Sequence, residues 1–463
     1  MPQLRTKQQL VDLARVVVAA MSLATYKGNL YEARDFETGE PLPSPDRAVW
    51  LALHDDDLLD IAATLDTLFS TPAEFYSFKY MLRQLADRKK TAEPHVVIRH
   101  GEGLAYMSDA GLVKVEKPAF SPNFINNRII EKEEEDYKYV TELFETIAEW
   151  LGSEDQARSL LHHLATALQP GWSAVKYVLL LGSGRNGKGT LLKMVLKLFG
   201  KRNISKVFRQ EMAARRATVA QLNGKLLNLV FDGPASYVAD SGPEKTLVAG
   251  EPIDIELKYE NTPIEVETNA LFMEALNKEP KNRDKSPALQ ARLVRFEFPN
   301  KYEDDLLFLE KMLSDFMINA LLTLLWEHWV KAEDLSTKLR ASESSLDLQV
   351  ANELNNSPVL AFIEDTSRKD PEFITALRSE EYSADAFADS FEPWLQSKHY
   401  GERSTSSIWE HMAEHFKIER KVKREKGRPV TRRYIIGVLP DTARALRTME
   451  GGIQDDEAVV RDE

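Results

Sequence analysis

The stretch that most constrains this chain is VKYVLLLGSGRNGKGTLLKMVLKLFG, residues 175–200. VKYVLLL is a short apolar run and reads as a buried strand. TLLKMVLKLFG has apolar residues at helical spacing and ends on a glycine. Between them, Gly182, Ser183, Gly184, Arg185, Asn186, Gly187 and Lys188 fit G-x-x-x-x-G-K. Strand, glycine-rich turn and helix make this spacing a phosphate cradle. The glycines let successive N–H groups point into one concavity, the helix N-terminus adds a positive dipole, and Lys188 reaches the β- and γ-phosphates. A bound nucleotide with Mg²⁺ is therefore expected, on an α/β core, and the loop alone does not separate kinases, GTPases, ATPases and motors. Gly189 stands where a Ser or Thr hydroxyl usually ligates the metal. Thr190, one position later, is expected to touch a phosphate or the metal, with Mg²⁺ held through water.

The chain has 463 residues, which at about 150 per domain suggests about three domains. Hydrophobic residues at 43% and charged residues at 29% describe an ordinary globular protein. There is no cysteine, which excludes disulfides, thiolate metal sites and a cysteine nucleophile, and fits a reducing compartment. MPQLRTKQQLVDLARVVVAAM lacks the apolar core and cleavage site of a signal peptide, and no apolar run is long enough to span a bilayer. A cytoplasmic protein with no membrane partner is expected. The net charge of −13 argues against a nucleic-acid coat protein, but a basic groove can sit in an acidic chain.

Residues 1–92 read as a helical N-terminal domain. Thr6 and Gln9 have capping-box spacing, Ser44-Pro45-Asp46 reads as the start of a second helix, and Ser70-Thr71-Pro72 of a third. Asp55, Asp56 and Asp57 read as a solvated helix face rather than a metal site, because neighbours at i and i+1 do not face each other. Residues 93–130 read as a small β segment and 131–172 as a helical lead-in. His162 and His163 in that lead-in have no third ligand nearby and read as packing or surface. Residues 173–345 hold the ATPase core, 346–440 a C-terminal unit after a polar linker, and 441–463 an acidic, disordered tail.

Three segments of the core bear on the chemistry. GKLLNLVFDGP ends a strand on Asp232, placed to hold Mg²⁺ or its water, or to activate the attacking water. TNALFMEALNKEP ends one on Asn277, placed to orient that water. A turn Asp and a turn Asn are the plain alternatives. PALQARLVRFEFP puts Arg292 before, and Arg295 within, a last strand. Arg292 is the candidate for stabilising transition-state charge, with surface cations as the alternative.

As an ordered set these motifs resemble the superfamily 3 helicases, most of all the helicase half of phage, plasmid and poxvirus primase-helicases. The matching residues are GxGxNGKGT, the strand ending in Asp232, EKTLVAGEPIDIELKYENTPIEVE, Asn277 to Pro280, and Arg292 to Phe298. RHGEGLAYMSDAGLVKVEKPAFSPNFINNRI resembles the family's short β segment, so the likeness covers about residues 95–440. The family usually has Glu at its second motif. Here Asp232 stands there with no second acid beside it, and Ala291 takes the place of a paired arginine. The resemblance implies an AAA+ ATPase assembling as a ring, usually a hexamer, with each nucleotide between subunits and Arg292 acting on the neighbour's. It implies a hairpin whose Lys258 and Tyr259 grip single-stranded DNA, and 3′ to 5′ translocation. With no primase-polymerase domain upstream, a stand-alone helicase with a separate primase or polymerase is expected.

STSSIWEHMAEHF reads as a capped helix, and KIERKVKREKGRPVTRRYIIGV after it carries nine cations against two acids between Lys417 and Arg433. That is the pattern of a C-terminal winged-helix domain. Lys421, Lys423, Arg424, Lys426 and Arg428 are its expected phosphate contacts, a solvated hairpin the alternative. The leading expectation is an ATP-driven ring helicase on single-stranded and forked DNA in phage or plasmid replication. A DNA-binding ATPase switch, an origin binder or loader that does not unwind, is the second, and a small-molecule kinase the third.

Overall fold

A computed structural model shows a mixed α/β protein with several sheets. It describes residues 5–446 except 27–28, 36–37, 39, 43–47, 65–68, 90–95, 101–102, 109–110, 116–119, 170–173, 215, 235–237, 239, 256–263, 280–285, 330–337, 340–344, 347, 349–356, 371, 379–381, 398–407, 410–411, 414, 426–427, 440–441 and 444–445. The chain divides into two compact units, residues 1–342 and 343–463, and the division falls inside the polar stretch before Pro358. Among the described residues no helix is long and apolar enough to cross a membrane.

The N-terminal stretch is not simply helical. Helix α1 (Lys7–Ala20) opens with the expected capping box between Thr6 and Gln9. After it come strands β1 (Leu23–Tyr26), β2 (Asn29–Asp35) and β3 (Ala48–Ala52), then helices α2 (Asp55–Thr64) and α3 (Pro72–Leu85) and strand β4 (Asp87–Arg88). The strands form one sheet in the order β3-β2-β1-β4. Ser44-Pro45-Asp46 lies outside the described residues. The chain just beyond it is strand β3, and the helix begins only at Asp55. AVWLA has good helix formers, but pairing with β2 overrides that weak local preference. Leu10, Val17, Leu58, Phe75, Phe78 and Leu82 join the three helices in one apolar cluster. The aspartate triplet is also not just a solvated face. Asp57 takes a bidentate pair from Arg202 at 2.7 and 2.9 Å, and Asp55 takes Lys79.

The β segment is a meander, as its turn signals suggested. Strands β5 (Val97–His100), β6 (Gly103–Ser108) and β7 (Gly111–Val115) pair antiparallel, and β8 (Phe124–Ile125) adds in parallel. Helices α4 (Lys138–Leu151) and α5 (Glu154–Ala165) come next, at the expected places.

The core runs β9 (Tyr177–Leu181), α6 (Lys188–Phe199), β10 (Ile204–Ser205), α7 (Arg209–Ala214), α8 (Arg216–Val219), β11 (Leu227–Val230) and α9 (Gly242–Val248). It continues with β12 (Ile253–Ile255), β13 (Ile264–Val266), β14 (Leu271–Leu276), α10 (Pro287–Gln290), β15 (Leu293–Glu297), α11 (Leu306–Met312) and α12 (Asp315–Glu327). Five strands form a parallel sheet in the order β10-β11-β14-β9-β15. Both faces are covered, which is why these strands read as continuous apolar runs rather than alternating ones. Val178, Leu180, Met273 and Phe296 belong to the cluster that includes α6 and α12. Tyr177, Leu179, Phe272 and Leu293 belong to the cluster that includes α7 and α9. β12 and β13 pair as an antiparallel hairpin beside that second face.

In the second unit, α13 (Pro358–Ser367), α14 (Glu372–Leu377), β16 (Tyr382–Ser383) and α15 (Ala384–Ser397) precede β17 (Phe416–Glu425) and β18 (Arg428–Val438). The strands form an antiparallel sheet in the order β16-β18-β17 around Phe362, Phe387, Phe391, Phe416 and Ile435. Of the expected helix over 404–416, residues 408–409, 412–413 and 415–416 are described: the first two pairs are helical, whereas His415 is in a turn and Phe416 already opens β17.

Candidate functional site

The loop after β9 is held from several sides. Gly184 and Gly187 have φ of 93° and 92°, and Arg185 between them has φ 51°, a left-handed conformation uncommon outside glycine. At Gly187 a Cβ would come within 2.6 Å of the Trp150 ring, so α4 presses its indole directly against the loop. Asn186 Nδ2 donates to Phe298 O at 3.2 Å, and Tyr302 N donates to Arg185 O at 2.8 Å. The segment after β15 thus clamps the loop's far side. Gly187 ends the loop and Lys188 opens α6, so the helix's first N–H groups face the concavity.

Lys188 is 6% exposed. Its Nζ donates to Gly182 O at 2.6 Å and to Asn186 Oδ1 at 3.1 Å. Burial lowers its pKa, and the negative charge of Asp232 works against that shift.

A parallel sheet brings all its strand carboxyl ends to one edge, and the loop sits on that edge. β11 runs out to Asp232 and β14 to Asn277 there. Lys188, Thr190, Asp232 and Asn277 accordingly line one open cleft of about 1220 Å³, together with Gly184 to Gly187 and Gly189. Because β14 lies between β9 and β11, Asn277 stands on the strand between the loop and the acid. Asp232 and Asn277 are both exposed to the cleft. Gly182 and Ser183 belong to the same loop, at the end of β9.

Arg292 is elsewhere. It precedes β15, its carbonyl accepts from Tyr177 N at 2.7 Å, and its Nη1 donates to Ala288 O at 2.6 Å. That is the amino edge of the sheet, opposite the loop, so Arg292 does not reach its own chain's cleft. Arg295 is not a surface cation at all. It is fully buried and makes a bidentate pair with Glu279 at 2.7 and 2.9 Å, plus a bond to Gln290 at 2.8 Å.

Sequence reasoning missed a buried polar cluster behind the cleft. Glu274, in the middle of β14, is fully buried. Its Oε2 accepts from Tyr177 Oη at 3.3 Å. Arg209 on α7 bonds to Glu244 on α9 at 3.1 Å, and its guanidinium lies 5.4 Å from the Tyr177 ring centroid. Burial is the main force that pushes the Glu274 pKa up to about 7, with Arg209 pulling it back. The available signal was the single acid inside the apolar run LFMEAL.

The two histidines do not form a metal site, and no metal-binding cluster occurs among the described residues. His163 is fully buried and donates from Nδ1 to Ser159 O at 2.7 Å, and burial lowers its pKa to about 4. His162 Nδ1 donates to His328 O at 3.0 Å.

Of the expected DNA contacts, Lys258, Tyr259 and Lys426 lie outside the described residues. In the second unit the hairpin register puts Lys421 opposite Arg432 and Arg420 opposite Arg433. Lys421 Nζ lies 5.8 Å from the Tyr434 ring centroid. Arg433 is engaged by Asp385 at 3.1 Å and by the Trp409 ring. Lys423 and Arg424 lie on β17 and Arg428 on β18, in the last pairs of the ladder, at the end where the two strands connect.

Residues 180–292 match the model of a family of unknown function, DUF5906. No curated protein matches the chain. Among solved structures, the apo C-terminal region of NrS-1 in its A form is 12% identical, with a TM-score of 0.49 over 94% of this chain and 100% of that one. A second structure of that region, spanning its residues 305–718, is 13% identical with a TM-score of 0.47, covering 93% and 99% of the two chains.

Proposed function

We propose that this protein is a P-loop ATPase of the AAA+ kind acting on DNA as a superfamily 3 helicase. The observation that carries the reading is the meeting of Lys188, Thr190, Asp232 and Asn277 in one cleft at the carboxyl edge of a parallel sheet. Residues far apart in sequence and individually ordinary fall where a nucleoside triphosphate would need them. The loop's N–H groups and Lys188 hold the phosphates, and Asn277 orients the attacking water.

The cleft fits Mg²⁺ as a phosphate-bound ion. Asp232 is an exposed carboxylate facing the loop, and Thr190 offers a hydroxyl one position past the usual one. When bound, the ion supplies neutralisation of charge on the β- and γ-phosphates. Asp232 would hold the ion through water, and Lys188, now bonded to the Gly182 carbonyl, would bind a phosphate oxygen.

The DNA reading rests on the motif order and on the second unit. The hairpin register sets Lys421 opposite Arg432 and Arg420 opposite Arg433, a concentration of positive charge that attracts phosphate. We take that unit as a winged-helix DNA module and the β12–β13 hairpin as the strand-gripping element. A homo-oligomeric ring, a hexamer by the family resemblance, lets Arg292 serve a neighbour's cleft, and phage or plasmid replication is the setting. The test is ATP hydrolysis by the full chain with and without single-stranded DNA, and then fork unwinding. Hydrolysis that rises with DNA and 3′–5′ strand separation are expected. Hydrolysis indifferent to DNA overturns the motor reading, and DNA-stimulated hydrolysis without unwinding favours the loader or switch.

A further inference from the structure

Residue 233, beside Asp232, is glycine, so β11 itself offers no second acid. The backbone there is not left-handed, and a side chain is excluded by its neighbours instead. A Cβ built on Gly233 would lie 2.6 Å from Glu274 Cδ and closer still to Glu274 Oε1, with Leu276 Cδ2 at 2.5 Å. The carboxylate of Glu274, on the adjacent strand, therefore occupies the space where the side chain of residue 233 would begin.

Three further observations bear on this placement. Gly233 N donates to Ala275 O at 2.8 Å, so the turn carrying Asp232 is laced to β14 next to Glu274. Glu274 Oε1 is buried with no hydrogen-bond partner among the described residues, a state that costs about 1–3 kcal/mol for a polar atom. Glu274 is also three residues before Asn277 on the same strand. A buried acid kept at such a cost, wedged between the two strand ends that line the cleft, calls for a role that an apolar residue would not fill.

We propose that Glu274 is the second carboxylate of the nucleotide site, delivered from β14 into the place left open by Gly233, where it positions Asp232 and the water it holds. The inference rests on the ATPase reading. Glu274 is a positioning residue, since it acts through the Asp232–Gly233 turn rather than on the nucleotide.

The test uses the full chain and four forms: wild type, Glu274→Gln, Glu274→Ala, and Gly233→Glu combined with Glu274→Ala, which moves the acid to the strand of Asp232. Nucleotide affinity, turnover and Tm are measured on each. Glu274→Gln keeps the shape, so its Tm should not fall and its ATP affinity should stay within about threefold, while turnover drops about 10- to 100-fold. The relocated acid should recover at least about tenfold over Glu274→Ala. Wild-type turnover in Glu274→Gln overturns the proposal. So does a relocated acid that folds and turns over no faster than Glu274→Ala. If the alanine forms do not fold, Glu274→Gln decides alone. A wild-type protein that neither binds nor hydrolyses ATP defeats the ATPase reading itself and this inference with it, whereas an active wild type with an unaffected Glu274→Gln defeats the inference only.

Discussion

Lys188 Nζ already has two oxygen partners inside its own loop, so an incoming phosphate replaces neutral acceptors with charged ones, which make shorter and stronger bonds. Lys188→Ala should therefore cut ATP turnover by at least about 100-fold with little change in Tm, read by phosphate release and thermal melting. Gly187 admits no such substitution. Its φ of 92° and the Trp150 ring behind it mean that Gly187→Val costs about 1–3 kcal/mol in backbone strain alone, seen as a lowered Tm together with lost nucleotide binding. Lys188, Asp232 and Asn277 were legible in the sequence because each sits at a strand or turn boundary, where a polar residue interrupts an apolar run. Glu274, Arg209 and Glu244 were not, because what they do depends on which strands are neighbours. Periodicity places a residue on a face of its own element and says nothing about the element across from it.

Helix α5 shows the same limit. Its amphipathic pattern was readable, but the burial of His163 against the Phe296 ring comes from tertiary packing. That burial has a pH signature. The folded pKa of about 4 lies below the ordinary 6.5, so between those values the unfolded chain binds more protons than the folded one. Stability is full above about pH 6.5 and falls as pH drops towards 4, by roughly 3 kcal/mol at most from this residue. His163→Leu should flatten that part of the acid limb, measured by urea unfolding at pH 7, 5.5 and 4.5. His162 and His328, both also shifted down by burial, leave a residual slope of the same sign. β3 is the opposite case, a strand hidden by helix-forming residues and revealed only by its partner β2. The β17–β18 pair was legible because its apolar ends and basic middle are local. If that pair contacts DNA phosphate, Lys421→Ala should lower the slope of log affinity against log salt by about 1 and leave DNA-free ATP hydrolysis unchanged.

For the molecule as a whole, the chain divides into two units within a polar stretch of its sequence. Assembly is an expectation of the family resemblance alone. The position of Arg292 makes it testable. It lies at the amino edge of the sheet, away from its own chain's cleft, so it can meet a nucleotide only if a neighbouring copy brings one. A chain with Arg292→Ala keeps its cleft and loses the arginine it lends. A chain with Lys188→Ala loses its cleft and keeps that arginine. Each variant alone should be nearly inactive, yet mixed subunits contain interfaces where the Arg292 of one faces the intact cleft of the other. The mixture should then hydrolyse ATP faster than the sum of its parts, with the excess growing as protein concentration drives assembly. Arg292 bound only to its own chain's Ala288 carbonyl, as a purely structural cation, gives no such excess at any concentration, and the two outcomes separate a shared site from a private one in a single titration.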